Sequence, residues 1–161
     1  LEELNGLFTN GIKFVEPSDL SGSLKGRQNM YNHLDMMIRG AERTITIVTT
    51  AEGLNRKMEM LLPGLERAKK RGVIIRIAAP ITSVNLKIAK DLNKVAEVRN
   101  LDSKLTARFA VVDSTQVMFM LLDDKSVHPN YDVAVWLSTE FFAKAMEQMF
   151  ELAWNTFSKV R

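Results

Sequence analysis

Between positions 24 and 38 the apolar residues Leu24, Tyr31, Leu34 and Ile38, with Met30 and Met37 beside them, recur at helical spacing, and Gly40 stands where a C-terminal cap belongs. This pattern predicts a helix. The β-branched run RTITIVTT at 43–50, short and bounded by charge, predicts a strand. A second helical stripe follows in Leu54, Met58, Leu61, Leu62, Leu65 and Ala68. Pro63 and Gly64 interrupt it, so the expectation is a kink or two helices, the second starting at Pro63. GVIIRIAAP at 72–80 is apolar at nearly every position, which suits a strand covered on both faces. A shorter helix near 85–93 and a brief strand near 95–99 complete this half.

After position 100 the pattern changes. KLTARFAVVD alternates, with Leu105, Ala107, Phe109 and Val111 on one face and Thr106, Arg108 and Ala110 on the other. With TQVMFMLLDD it reads as a hairpin turning at Asp113-Ser114. DDKSVHPNYD is a polar loop, YDVAVWL at 131–137 a further strand, and Ser138 or Thr139 the cap of a long last helix. That helix carries Phe142, Met146, Met149, Ala153 and Phe157 on one side, and Phe141, Phe150 and Trp154 widen the stripe. Alternating strands and helices, then a run of strands closed by a helix, argue for an α/β sandwich with a mixed sheet. No repeat, low-complexity stretch or linker divides it, so one domain is expected.

Composition narrows the chemistry. The chain has 161 residues, 46% hydrophobic and 25% charged, the balance of a soluble globular domain able to bury its own core. It has no cysteine, which removes disulfides, thiolate metal sites and a cysteine nucleophile, and makes a reducing cytoplasm the simpler compartment. Apolar runs are short and flanked by charge, so neither a membrane span nor a signal peptide is expected. The net charge of +3 is concentrated in the middle, around ERAKKRG at 66–72, a pattern better suited to a solvated helix end than to a nucleic-acid footprint. No phosphate loop or dinucleotide fingerprint is present, so no cofactor is expected. Asp123-Asp124 lacks a third carboxylate at ligand spacing, so no metal is expected either. His33 and His128, the only histidines, lie far apart and read as structural or solvent-facing.

Thr106, Arg108 and Asp113 carry a resemblance. Their spacing is similar to the H-x-K motif with an aspartate after four further residues that the phospholipase D superfamily bears on a hairpin strand after two βα units. Thr106 then stands at the histidine, Arg108 at the lysine and Asp113 at the aspartate. In that superfamily the histidine is the nucleophile and forms a phosphohistidine. A threonine without a neighbouring base cannot replace it at neutral pH, so the site is expected to be catalytically dead and the protein not an enzyme.

A narrower resemblance covers most of the chain. AKKRGVIIRIAAP, the RFAVVDS hairpin with its following apolar strand, and the ending MFELAWNTFSKV occur in the order found in the phospholipase D-like region of archaeal TrmB-type transcriptional regulators. That resemblance implies a phospholipase D-like α-β-α sandwich with a mixed, mainly parallel sheet over 21–161, and makes 1–20 the end of a linker or dimerisation helix. It implies a homodimer that regulates transcription, contacting DNA through an N-terminal winged helix-turn-helix expected to be missing from this fragment. A small-molecule effector is implied for some members. The sugar-sensing ones use an additional C-terminal β-rich domain that this chain does not reach, so a sugar is not implied. Any ligand is expected where the vestigial site would lie, near Thr49, Thr50, Thr106, Arg108 and Asp113, with Arg108 gripping a carboxylate or phosphate in its fork, contacting Asp113 or lying on the surface. The alternatives are a phospholipase D-type phosphodiesterase with altered chemistry and a ligand-free interaction domain, for which Phe141, Phe150 and Trp154 offer an apolar surface.

Overall fold

The computed structural model of the chain describes residues 16–101 and 105–160, so the expected linker or dimerisation helix at 1–20 lies largely outside the described residues. In chain order the elements are α1 (Pro17–Leu20), β1 (Ser21–Lys25), α2 (Arg27–Arg39), β2 (Thr44–Val48), α3 (Ala51–Lys70), β3 (Ile74–Ala79), α4 (Leu86–Leu92), β4 (Glu97–Asn100), β5 (Phe109–Val112), β6 (Gln116–Met120), a 3-10 turn (Pro129–Tyr131), β7 (Val133–Leu137), α5 (Glu140–Trp154) and β8 (Ser158–Lys159). Eight strands form one sheet in the order β1-β7-β6-β5-β2-β3-β4-β8.

The sheet is mixed, but the parallel pairs are the minority. Only β2–β3 and β3–β4 run parallel, joined by the crossover helices α3 and α4, while the other five neighbouring pairs are antiparallel. The expectation of a mainly parallel sheet is corrected by the antiparallel run β7-β6-β5-β2, to which β1 and β8 add one further antiparallel pair each. SGSLK, with the single large apolar residue Leu24, pairs antiparallel with β7, and the two-residue β8 pairs with β4. Leu24 therefore belongs to a strand. Gly26, at φ 89°, makes the turn into α2, which begins at Arg27.

Alternation along the strands divides the core. Ile45 and Ile47 of β2, Ile75 and Ile77 of β3, and Ala110 and Val112 of β5 pack under α2 and α3 with Leu34, Leu54, Leu61 and Leu65. The opposite face, including Val48, Ala78 and Val111, is covered by α5 through Ala143, Phe150 and Trp154. Arg76 of β3 anchors that layer: it pairs with Glu147 and Glu151 and lies 5.0 Å over the Phe150 ring and 5.5 Å over that of Trp154. Phe150 and Trp154 are thus core residues. Of the three aromatics expected to widen an exposed face, only Phe141 is exposed.

Pro63 does not divide the stripe into two helices, since α3 runs as one helix of 20 residues through it. Burial of Leu54, Met58, Leu61 and Leu65 along its inner face outweighs the roughly 3 kcal/mol that an interior proline costs. Gly64 lets α2 and α3 approach closely, because a Cβ there would lie 3.1 Å from Asp35 Oδ1 and 3.3 Å from Ile38 Cγ2.

Candidate functional site

The carboxyl ends of β2 and β3 and the entry to β5 meet at one sheet edge, because β5 runs antiparallel to β2 with Phe109 opposite Val48. Crevices outside strand ends are the usual ligand positions in α/β sheets. Thr49 and Thr50 follow β2 there, and Thr106 and Arg108 precede β5. The structure brings these four together. A cleft of about 320 Å³ is lined by Thr49, Thr50, Thr82, Thr106, Asp123 and Lys125 among others, and a smaller one of about 200 Å³ adds Arg108 and Asp124.

Asp113 is at the other end. The β5–β6 turn places Asp113 and Ser114 at φ 56° and 53°, the left-handed conformations that such tight hairpin turns use. From there the Asp113 carboxylate accepts the backbone N–H groups of Glu42 (2.9 Å), Arg43 (2.7 Å) and Thr44 (2.9 Å), and its carbonyl accepts from the Arg43 guanidinium. Burial alone would raise this carboxyl, but the three backbone donors outweigh it and hold it below its usual range. Asp113 ties the hairpin turn to the start of β2. Asp113→Ala is expected to lower the unfolding free energy by about 2–3 kcal/mol at pH 7, measured by urea denaturation. The difference should vanish as pH falls through the folded-state pKa, because the stabilising form is the carboxylate.

Arg108 is almost wholly buried and its fork is taken. Nη1 donates to Asp132 Oδ2 at 3.0 Å, Nη2 to Asp132 Oδ1 at 2.9 Å, and Nη2 also to the Leu122 carbonyl. Asp132, at 0% exposure, accepts in addition from Arg27 Nε at 2.9 Å and from the Val133 amide at 3.0 Å. Burial would raise Asp132, yet the Arg108 and Arg27 hydrogen bonds keep it low. Beside this triad a second carboxylate, Asp124, accepts from Thr50 Oγ1 at 2.6 Å and from Arg56.

Lys57, on the inner face of α3, is 1% exposed and donates to Thr49 Oγ1 at 2.8 Å. Burial, helped by the Arg108 and Arg56 charges, pushes its amine down to about 7. Gly53 makes room for this arrangement: a Cβ there would lie 2.3 Å from Thr49 Oγ1 and 2.8 Å from Thr50 Oγ1. Thr50 in turn caps α3, accepting the Gly53 amide at 2.9 Å.

Arg108 and Asp124, which line the smaller cleft, thus belong to a polar network that Arg27, Arg56, Lys57 and Asp132 complete behind them. Of these, only Arg108 was among the expected site residues. Asp132 and Asp124 lie in what reads as a polar loop, and Lys57 carries a faint signal, a lysine inside the apolar stripe of Leu54, Met58 and Leu61. Neither histidine is in the site. His33 stacks on Trp136 at 5.9 Å between centroids, with its pKa lowered by burial, and His128 Nδ1 accepts the Asn130 amide in the 3-10 turn. Among the described residues no cluster of three His, Asp or Glu could hold a metal, and no helix is long and apolar enough to cross a membrane.

A mixed sheet between two helical layers, with the β5–β6 hairpin beside its two parallel βα units, defines a phospholipase D-like fold. Nuc from Salmonella typhimurium, a phospholipase D family member, superposes with a TM-score of 0.67 at 17% identity over 88% of this chain and 99% of that one. NucT from Helicobacter pylori superposes at 0.64 and 13% identity, over 86% and 98%. The family model "Transcriptional regulator TrmB, EBD N-terminal subdomain" matches residues 23–159, and the chain belongs to the TrmB family of transcriptional regulators. TrmBL2, described as an archaeal chromatin protein with a novel mode of DNA binding, superposes with a TM-score of 0.69 at 22% identity. The match covers 99% of this chain, which spans 61% of TrmBL2. No curated protein sequence matches the chain significantly.

Proposed function

We propose that residues 21–161 are the non-catalytic regulatory domain of a cytoplasmic TrmB-type regulator, providing dimerisation and effector sensing while an N-terminal winged helix-turn-helix contacts DNA. The observation that carries this reading is the state of the degenerate site. Thr106 stands where a nucleophile would be needed, and Arg108, the residue in register with the lysine, is bound on both faces of its fork by Asp132 and Leu122. These contacts occupy the Arg108 fork and leave the cleft beside it open. Such a site is suited to holding a molecule without transforming it.

Dimerisation is supported by α5. Its inner face packs on the sheet, while Phe141 (89% exposed), Met149 (64%) and Leu152 (80%) follow one outer stripe with Ala145 between them. Spacings of four, four and three residues give the seam that a second helix of the same kind would fill. In sedimentation velocity the chain is expected to run as a dimer, and Phe141→Lys with Leu152→Lys as a folded monomer. A wild-type chain that is monomeric at 100 µM sinks the dimer reading. For the effector, a thermal-shift panel of sugars, sugar phosphates, nucleotides, small acids and small amphiphiles is the direct test. A compound at 100 times its dissociation constant adds about 2.7 kcal/mol to the folded state. No shift across the panel leaves a ligand-free dimerisation domain.

A further inference from the structure

The polar cleft has an apolar neighbour. Leu105 and Ala107, in the segment leading to β5, line both the cleft of Thr49, Thr50 and Thr106 and a second one of about 170 Å³. The walls of the second are entirely apolar, made by Val48, Phe109, Met146, Phe150, Ala153 and Phe157, with other apolar residues. It opens beside α5 where the helix leaves the sheet. A ligand lying across Ala107 would have one half against aromatic and aliphatic side chains and the other among hydroxyls and carboxylates.

The polar half selects for a donor. Asp124 is fully buried at its side chain and lines the smaller cleft with Thr50 and Thr106. Its Oδ2 is used by Thr50 and Arg56, but Oδ1 has no hydrogen-bond partner among the described residues. A buried carboxylate oxygen without a donor is costly, and a ligand hydroxyl would satisfy it. Glu52 and Asp123 add acceptors at the mouth, against the single cation Lys125. An anionic head would meet these carboxylates, with the Arg108 fork already engaged. A cationic head would meet Arg108 at the cleft wall with Arg27 and the half-buried Arg56 behind it, three guanidiniums against the two carboxylates of Asp124 and Asp132 even before any charge on Lys57 is added. A neutral head meets neither penalty.

We propose that this double cleft binds a small amphipathic molecule: a neutral, hydroxylated head donating to Asp124, and an apolar aryl or short alkyl tail under α5. This rests on the reading of the domain as an effector sensor and specifies the chemical class of the effector. Apolar walls with a few convergent polar groups are the usual build of a small-molecule site.

The probe is 3-phenoxy-1,2-propanediol, titrated into the 161-residue chain and followed by amide chemical shifts. Glycerol serves as head alone, anisole as tail alone and phenoxyacetate as the same tail on an anion. The diol is expected to bind saturably, shifting amides on both arms (Thr50 and Thr106, Phe109 and Ala153), and to bind roughly tenfold or more tightly than glycerol or anisole, since each fragment forgoes one arm. Ala153→Phe, which fills the apolar arm, should reduce the diol to the affinity of glycerol, and Thr106→Val, at an exposed position, should reduce the preference for the diol over anisole. Anisole binding as tightly as the diol, phenoxyacetate binding more tightly, or no saturable shift on either arm overturns the proposal. A chain that dimerises through α5 or is stabilised by another compound class while ignoring these probes refutes this inference and leaves the regulatory reading standing. A monomer that binds the diol sinks the dimer reading alone and leaves this inference standing.

Discussion

Asp132→Asn is expected to lower the unfolding free energy by about 3–5 kcal/mol, a large share of the 5–15 kcal/mol typical of a domain. The reason is what remains. Arg27 and Arg108, whose side chains are 10% and 4% exposed, would keep their charges and lose their only shared carboxylate. Arg27 would retain the Asp124 and Val127 carbonyls and Arg108 the Leu122 carbonyl, dipoles that cannot replace a full negative charge in a poorly solvated place. Geometry also fails, because Asp132 holds the loop before β7 to the start of α2 and the entry of β5, three segments distant in sequence. Replacing all three residues by apolar ones of similar size should restore much of the loss, as hydrophobic substitutes for buried ion pairs often do. Urea unfolding followed by circular dichroism measures both, and a loss below 1 kcal/mol for Asp132→Asn would mean the network is not held as described. Acid offers a parallel check. Asp113, Asp124 and Asp132 are all held below the usual carboxylate range, so each contributes stability that is present above the unfolded pKa near 3.8 and is lost as pH falls through its folded value.

How much of this was legible in advance follows from the range over which each feature is encoded. Helix and strand periodicity is local, so β2, β3, α3 and α5 are readable from their own residues. SGSLK is not, because one leucine among small polar residues carries no period, and its strand character comes from β7, more than a hundred residues away. Pro63 misleads as the start of a second helix for the opposite reason: a strong local signal is overridden by the buried face on either side of it. The same division runs through the site. Thr49, Thr50, Thr106 and Arg108 can be placed together because each flanks a readable strand, and strand ends at one sheet edge converge. Asp113 travels with Arg108 in the motif, yet an extended strand lies between them, and five residues at about 3.3 Å each put them roughly 16 Å apart. Asp124 and Asp132 belong to a loop whose sequence announces only turns, and their partners Arg27, Arg56 and Arg108 are assigned by tertiary packing alone.

Lys57→Met is expected to stabilise the domain at pH 7, and the gain should shrink as pH rises. A buried lysine whose amine is held near 7 has lost most of its affinity for a proton relative to an unfolded lysine near 10.5. Above pH 10.5 neither state is protonated and the difference vanishes. Between 10.5 and 7 the unfolded chain binds a proton that the folded one does not, so stability falls by about 1.4 kcal/mol per pH unit on the way down. Below 7 both are protonated and the penalty stays at its full size, up to about 5 kcal/mol. Methionine has a similar shape and no charge, so it removes the penalty while giving up the hydrogen bond to Thr49, which contributes about 1 kcal/mol. Denaturant midpoints for wild type and variant at pH 6, 7, 8, 9 and 10 give the difference directly, and other titrating groups cancel in it. A variant advantage of several kcal/mol at pH 7 that has largely gone by pH 10 is the expected result. An advantage independent of pH would mean that Lys57 binds its proton equally well folded and unfolded, and that its surroundings are wetter than its burial implies. A destabilised variant at pH 7 would mean that the ammonium form is held by Asp124 and Asp132 more strongly than burial opposes it. The expected outcome has a functional corollary: a lysine that weakens the fold beneath a polar cleft is the kind of strain that sites accept and structural cores remove.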